Sequence, residues 1–299
     1  MSLVECVPNF SEGRDPAVIA AIRDAIASTP GAHVLDVSSD PSHHRTVITF
    51  VASLEAAVPA AFAAMKVAQE RIDLTTHQGE HPRIGATDVV PFIPLEGATM
   101  EHCVALAHEL GARAWAELGI PVYLYERAAT TPARENLADV RRGEFEGLRE
   151  DIRTNPARKP DFGANELHPT AGATAVGARP FLVAYNVYLG DATQLPVAKE
   201  VAKAIRGSSG GLRYVKGLGM EVDGQAQVSM NLHDLLEATD RGDTLHAIRE
   251  RVRAAASSRG VEIGETEVVG LLPERALHAG GDPAALQISG GWERVVLDR

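Results

Sequence analysis

The chain has 299 residues, 45% of them hydrophobic and 23% charged, which suits a globular protein of one large or two ordinary domains. Its net charge of −11 excludes a general nucleic-acid binder, because neutralising phosphates needs a basic surface. Two cysteines, Cys6 and Cys103, give neither a disulfide framework nor zinc spacing, and no signal peptide or apolar run of about 20 residues is read, so a cytoplasmic protein with no membrane contact is expected.

In chain order, Leu3–Pro8 reads as a short strand. Asp15-Pro16 opens a helix over Ala17–Ser28, with aspartate as cap and proline in the first turn. His33–Val37 and Thr46–Val51 are strands joined by the polar connection Asp40-Pro41-Ser42-His43-His44-Arg45. An alanine-rich helix runs from Ser53 or Leu54 to about Ile72. Val89–Pro94 is a strand, Thr99–Leu118 a helix with apolar residues at helical spacing, and Pro121–Tyr125 a strand. Residues 126–180 hold helical scraps and glycine-rich loop, and an ordered loop of that length is usually functional. The pattern then restarts: strand Phe181–Tyr188, helix Gln194–Ile205, strands Leu212–Lys216 and Ala226–Leu232, helix Asp243–Ala256 and strand Val261–Val269.

Each half therefore reads as strand, helix, strand, strand, helix, strand. That is the split βαβ pattern, and it predicts an α+β fold of two ferredoxin-like subdomains, each an antiparallel sheet with helices on one face. The boundary near Arg179–Phe181 gives subdomains of residues 1–180 and 181–299, with the catalytic residues in the first.

The densest chemistry lies in Gly79-Glu80-His81-Pro82-Arg83-Ile84-Gly85-Ala86-Thr87-Asp88, at the mouth of the Val89–Pro94 strand. His77 and His81 have the four-residue spacing of helical metal ligands. Pro82 opposes that reading, since proline disfavours helical geometry in the residue before it. No metal is expected. Gly172-Ala-Thr-Ala-Val-Gly177-Ala178-Arg179 has the glycine gap of a P-loop without its lysine and hydroxyl residue, so nucleotide binding is not expected either. His81 is the natural proton carrier near neutral pH, with Glu80, Arg83 and Asp88 placed to orient or charge it. A histidine that merely packs at a strand end is the alternative.

These segments resemble one known family. Val4-Glu5-Cys6-Val7-Pro8-Asn9-Phe10-Ser11-Glu12-Gly13-Arg14, the Gly79–Ala86 stretch with Asp88, Pro160-Asp161-Phe162-Gly163 and Gly172–Arg179 are similar, in order and spacing, to glutamate formiminotransferase, the transferase portion of formiminotransferase-cyclodeaminase. The resemblance spans nearly the whole chain, so the stand-alone transferase is the form expected. It implies transfer of the formimino group of N-formimino-L-glutamate to N5 of the co-substrate tetrahydrofolate, in a homodimer of paired ferredoxin-like subdomains. A separate cyclodeaminase is then a conceivable partner for the product. It further implies His81 as the catalytic histidine and the run Gly163, Ala164, Asn165, Glu166, Leu167, His168, Pro169, Thr170, Ala171, Gly172 as the folate-contacting loop. This chain departs from mammalian members in two places. It has Ser38 where they carry an acidic residue, for which Asp36 or Asp40 could substitute, and Ala171 where they carry tryptophan.

The chemistry suits these residues. A cationic amidine is already electrophilic, so transfer needs a base for the N5 proton and an acid for the departing nitrogen, and one histidine can serve as both in turn. Glu80 or Asp88 would hold the amidinium. Arg83, Arg45 and Arg179, in that order, are candidates for the glutamate carboxylates, which a planar guanidinium fork pairs bidentately. Arg179 also closes the folate-contacting set. Two basic stretches, Lys199 to Lys216 and Arg153-Arg158-Lys159, are candidates to steer the anionic folate tail. Formyl transfer, a folate-binding protein without turnover and a metal hydrolase are the competing readings.

Overall fold

Val7-Pro8 interrupts the first extended segment and leaves two short strands, β1 (Leu3–Cys6) and β2 (Asn9–Phe10). Proline has no N–H to give to a ladder, so the break falls there. The structure, a computed structural model, describes residues 2–95 and 97–297. The chain divides into two compact units, one ending at Arg179 and the other beginning at Pro180.

In the first unit, helix α1 (Pro16–Ala27) is capped by the Asp15 carboxylate, which accepts from the N–H groups of Ala17 and Val18. Strands β3 (Ala32–Asp40) and β4 (Arg45–Ser53) form an antiparallel hairpin. Helix α2 (Leu54–Arg71) starts at the cap Ser53 and buries a face of alanines, which lets it lie close to both α1 and the sheet. Then come β5 (Thr87–Pro94), α3 (Met100–Arg113), one π-helical turn at Ala114–Leu118 and β6 (Val122–Glu126). Helices α4 (Leu137–Val140) and α5 (Glu144–Thr154) precede β7 (Thr174–Ala178).

The sheet rows run β3, β4, then β1 and β2 end to end, then β5, β7 and β6. The pairs from β3 to β5 are antiparallel, but β5–β7 and β6–β7 are parallel. The expected purely antiparallel sheet is therefore corrected for this unit. The run from Thr174, expected as glycine-rich loop, is instead a central strand whose five residues are all buried. Its small side chains carry no alternation because neither face meets water. At Gly177 a Cβ would lie 2.5 Å from the Tyr125 ring, so the strand on one side fixes glycine on the other.

The second unit contains β8 (Leu182–Asp191), α6 (Leu195–Ile205), β9 (Val215–Val222), β10 (Gln225–His233), α7 (Leu235–Asp240), α8 (Leu245–Ser257), β11 (Thr266–Val269) and α9 (Glu274–His278). Its sheet is wholly antiparallel in the order β11-β8-β10-β9. Helix α6 packs on β9 and β10, α8 packs on β8, and the two helices pack on each other. Among the described residues, no helix is long and apolar enough to cross a membrane.

The segment that leads into β5 is seated on the segment that leads into β7. Ala86 N–H donates to the Ala171 carbonyl and Ala173 N–H to the Ile84 carbonyl, both at 2.9 Å. Gly85 lies between them, where a Cβ would be 1.9 Å from the Ala173 oxygen. Gly85→Ala is expected to lower stability by about 3 kcal/mol, read as a fall in the urea midpoint, because backbone rather than a mobile side chain must yield. An unchanged midpoint would show that this seat is loose.

Candidate active site

Residues 36 and 43 positions apart meet because β2 bridges their strands. Thr46 of β4 and Thr87 of β5 both pair with Phe10, so the starts of β4 and β5 lie two rows apart, about 10 Å, at one edge of the sheet. Arg45 precedes Thr46, Asp88 follows Thr87, and the loop carrying His81 enters between them.

The β3–β4 turn supports that loop. The Asp40 carboxylate accepts from the N–H groups of Ser42 and His43 at 2.8 and 2.9 Å, and its second oxygen lies 2.7 Å from His43 Nδ1. These bonds hold the Asp40 carboxyl below the usual carboxylate range. Glu80 N–H donates to the Ser42 carbonyl at 3.3 Å. At Gly79 a Cβ would be 2.4 Å from the His43 oxygen, so only glycine lets the loop press this close to the turn.

The His81 side chain is 14% exposed. Arg45 Nη1 lies 3.4 Å from both ring nitrogens, so the guanidinium is not directed at one lone pair alone. Asp88 Oδ2 lies 3.9 Å from His81 Nε2. Asp88 itself is buried. Its Oδ1 accepts from Ile84 N–H at 2.7 Å and its Oδ2 from Arg141 Nη2 at 2.5 Å. Burial raises the Asp88 carboxyl, while Arg141, the Ile84 N–H and Arg45 pull it down. Burial, then Arg45 and Arg141, push the His81 imidazole down to about 3. It is therefore neutral at physiological pH, with a lone pair available. Arg45 has no carboxylate oxygen within 4 Å among the described residues, and burial and Arg141 both weaken its hold on its proton. Asp88 and Asp40 oppose that effect from beyond ion-pair distance. The site thus combines a neutral imidazole with a guanidinium that has no close ion pair, which suits an anionic ligand that reacts through proton transfer.

The other expected residues fall into three groups. Arg83 is 6% exposed, and each of its N–H groups has an internal acceptor: Nε on His77 Nδ1, Nη1 on Glu144 and Glu146, Nη2 on Glu146 and the His77 carbonyl. No donor is left for a substrate carboxylate, so its first rank among the arginines is corrected. The same bonds fix the His77 tautomer, because Nδ1 accepts from Arg83 while Nε2 donates to the His44 carbonyl at 3.0 Å. Residues 77–81 are irregular, not helical, and the two histidines serve different neighbours.

Glu80 is exposed, and among the described residues its side chain makes no ion pair. Asp36 is exposed on the same face of β3 as Asp40 but about 13 Å along the strand. Arg179 follows β7, where its N–H donates to the Phe92 carbonyl, four residues and about 13 Å along β5 from Asp88.

In the 163–172 run, Leu167, Ala171 and Gly172 are buried supports, whereas Ala164, Asn165, Glu166 and Pro169 are exposed and Gly163, His168 and Thr170 half-buried. Arg153 pairs with Glu166, and Arg158 is tied to backbone carbonyls, so neither stands open as part of a basic track.

Sequence reasoning missed Arg141, Glu12, His44 and the Glu144–Glu146 pair. Glu12 lies 3.4 Å from His44 Nε2, and the His44 and His77 rings are 4.2 Å apart. The run Arg141-Arg142-Gly143-Glu144-Phe145-Glu146, basic before and acidic after a glycine of positive φ, was the available signal for Arg141 and the two glutamates.

Two outcomes follow from these contacts. Arg83→Lys should cost about 2 kcal/mol of stability by abandoning buried acceptors, with substrate affinity unchanged. Lost affinity at full stability would return Arg83 to the binding site. Second, the folded-state value of His81 lies below its free value of about 6.5. The unfolded chain takes up a proton as pH falls through about 6.5, and the folded chain does not until about 3. Its contribution to stability is therefore complete above about pH 6.5 and is lost as pH falls toward 3. Burial lowers His44, His77 and His168 in the same direction. Urea midpoints measured between pH 7.5 and pH 5, on the order of that window, should fall less in His81→Gln than in the wild type. Equal slopes would refute the depressed value.

Comparison with known proteins gives a single family. Residues 3–179 match the N-terminal subdomain of the formiminotransferase domain, and residues 184–283 match the formiminotransferase domain. The chain is 48% identical to a glutamate formimidoyltransferase of Thermoplasma acidophilum, covering 100% of this chain and 97% of that protein. It is 46% identical to the glutamate formimidoyltransferase of Streptococcus pyogenes, over 92% and 90% of the two chains. A formimidoyltransferase-cyclodeaminase of Mus musculus is 44% identical over 92% of this chain, which spans 51% of that longer protein. The chain therefore belongs to the formiminotransferase family.

Proposed function

We propose that this protein is a glutamate formimidoyltransferase that moves the formimino group of N-formimino-L-glutamate to N5 of tetrahydrofolate and releases L-glutamate. Its support is the neutral imidazole of His81 beside Arg45, a guanidinium with no close ion pair, in a chain nearly half identical over its whole length to an enzyme of that name. Tetrahydrofolate is the co-substrate, and no step needs a metal.

His81 is the general acid–base. The N5 lone pair attacks the amidinium carbon as His81 takes the N5 proton. The resulting imidazolium returns that proton to the glutamate nitrogen, the C–N bond breaks, and glutamate leaves as the amine. A substrate carboxylate on Arg45 would offset the charge that depresses His81. The ring would then move toward the range where it is effective as both base and acid. Asp88 supplies negative charge beside the amidinium. The exposed side of the 163–172 run is the folate contact, with its buried residues as scaffold.

We also read both units as ferredoxin-like. The antiparallel rows β5, β1 with β2, β4, β3 and the rows β11, β8, β10, β9 follow the same order of first, second, third and fourth strand. A homodimer in the cytoplasm, passing its product to a separate cyclodeaminase, completes the proposal.

His81→Ala should lower kcat for transfer by about 10²- to 10⁴-fold with little change in KM for the donor. Near-full activity would remove His81 from catalysis. N-formylglutamate should be a poor donor beside the formimino compound, and tight folate binding without any product would mark a binding protein instead. Because free His81 stays neutral well below pH 6, kcat/KM should show no loss from its protonation between about pH 7 and pH 5.

A further inference from the structure

We propose that Arg141 is a positioning residue for this reaction: by holding Asp88 Oδ2, it denies His81 a carboxylate partner and leaves the ring nitrogen open to receive a proton. The proposal rests on the reading of His81 as the base.

Two groups compete for one oxygen. Asp88 Oδ2 is 2.5 Å from Arg141 Nη2 and 3.9 Å from His81 Nε2. The other oxygen is fixed by the Ile84 N–H at 2.7 Å, so the carboxylate is held from both ends and does not swing toward the imidazole. The Asp88 side chain is 2% exposed and that of Arg141 13%, so water is a poor substitute for either partner. A histidine that pairs directly with an aspartate is biased toward the imidazolium, and one that has lost its aspartate to an arginine is not.

The arginine is itself held in place. Arg158 donates from Nη1 to the Asp139 carbonyl at 3.1 Å and from Nη2 to the Val140 and Arg142 carbonyls at 2.9 and 3.1 Å. These carbonyls flank Arg141 on both sides. The Tyr123 hydroxyl in turn donates to the Arg158 carbonyl at 2.6 Å. A guanidinium thus clamps the backbone turn that presents a second guanidinium, and the reach of Arg141 to Asp88 is set by the fold rather than by a free side chain.

The charged and titratable groups around His81 are Arg45 at the start of β4, Asp40 and His43 on the turn after β3, His77 on its own loop, Asp88 on β5 and Arg141 after α4. Asp40 is engaged by His43 and its own turn. Asp88 is therefore the carboxylate able to reach Nε2. Removing Arg141 frees it to close the gap and also removes one repelling cation. Both changes stabilise the imidazolium, and a ring already protonated cannot accept the N5 proton.

The test is the titration of His81 in the full chain, followed by NMR with labelled histidine and assigned by loss of the signal in His81→Asn. In the wild type His81 should titrate below about pH 5. In Arg141→Gln it should rise by about one unit or more, and in Arg141→Gln/Asp88→Asn the rise should be clearly smaller, because only the loss of the Arg141 cation then remains. Arg141→Lys, which keeps a cation near Asp88, should rise less. The acid limb of kcat/KM should move up with the titration in Arg141→Gln, so that activity recovers at alkaline pH as a merely unfolded variant would not. If Arg141→Gln does not fold, Arg158→Gln, which loosens the same turn, should move His81 upward by a smaller amount. An unmoved His81 in the variant that folds, or an equal rise in the double variant, overturns the role of Arg141. An inactive His81→Asn with an unmoved titration would reject Arg141 alone. An active His81→Asn would reject the reading of His81 as base, whatever the titration shows.

Discussion

The Asp88 carboxylate sits buried at the head of β5, with one oxygen on the Ile84 N–H and the other on Arg141. A buried carboxylate must have partners, and its choice of them decides what the surrounding groups can do. Here it pairs closely with Arg141, while Arg45, which has no carboxylate oxygen within 4 Å among the described residues and feels Asp88 and Asp40 only from farther off, is left facing the imidazole of His81. A guanidinium without a close ion pair thus stands at the site inside a chain of net charge −11. Overall charge argues against a polyanion partner, but a small anionic substrate meets the local field, not the sum.

The geometry depends on close packing of backbone on backbone. The loop before β5 is pinned on one side to the β3–β4 turn through Gly79 and on the other to the 171–173 segment through Gly85. Neither contact tolerates a Cβ. A loop held from both sides keeps His81, Arg45 and Asp88 in register. Arg83 adds a third anchor by joining this loop to Glu144 and Glu146 at the start of α5. The residues beside His81 in sequence thus divide by their contacts: Gly79 and Arg83 hold the loop, and His81 and Asp88 meet Arg45 and Arg141.

The order of strands and helices in both halves was legible because period-2 and period-3.6 apolar patterns survive wherever one face meets water. The β7 strand was not legible. Buried on both faces and built of threonine, alanine, valine and glycine, it carries no alternation, and its glycines imitate a loop. The parallel pairing that it creates between β5 and β6 could be known only from the folded chain.

Local sequence by itself marked His81 as the proton carrier, Pro82 as the obstacle to helical metal spacing, and the motif glycines as points of close approach. These are properties of a residue and its immediate neighbours. It could not rank the arginines. Arg83 adjoins His81 in sequence, but its donors turn inward to His77 and two glutamates, while Arg45 and Arg141 arrive from 36 and 60 positions away. A long side chain can turn toward either of two surroundings, and only the tertiary structure, by bringing β4 and the turn after α4 to the head of β5, decided which guanidinium meets the imidazole and which carboxylate is kept from it.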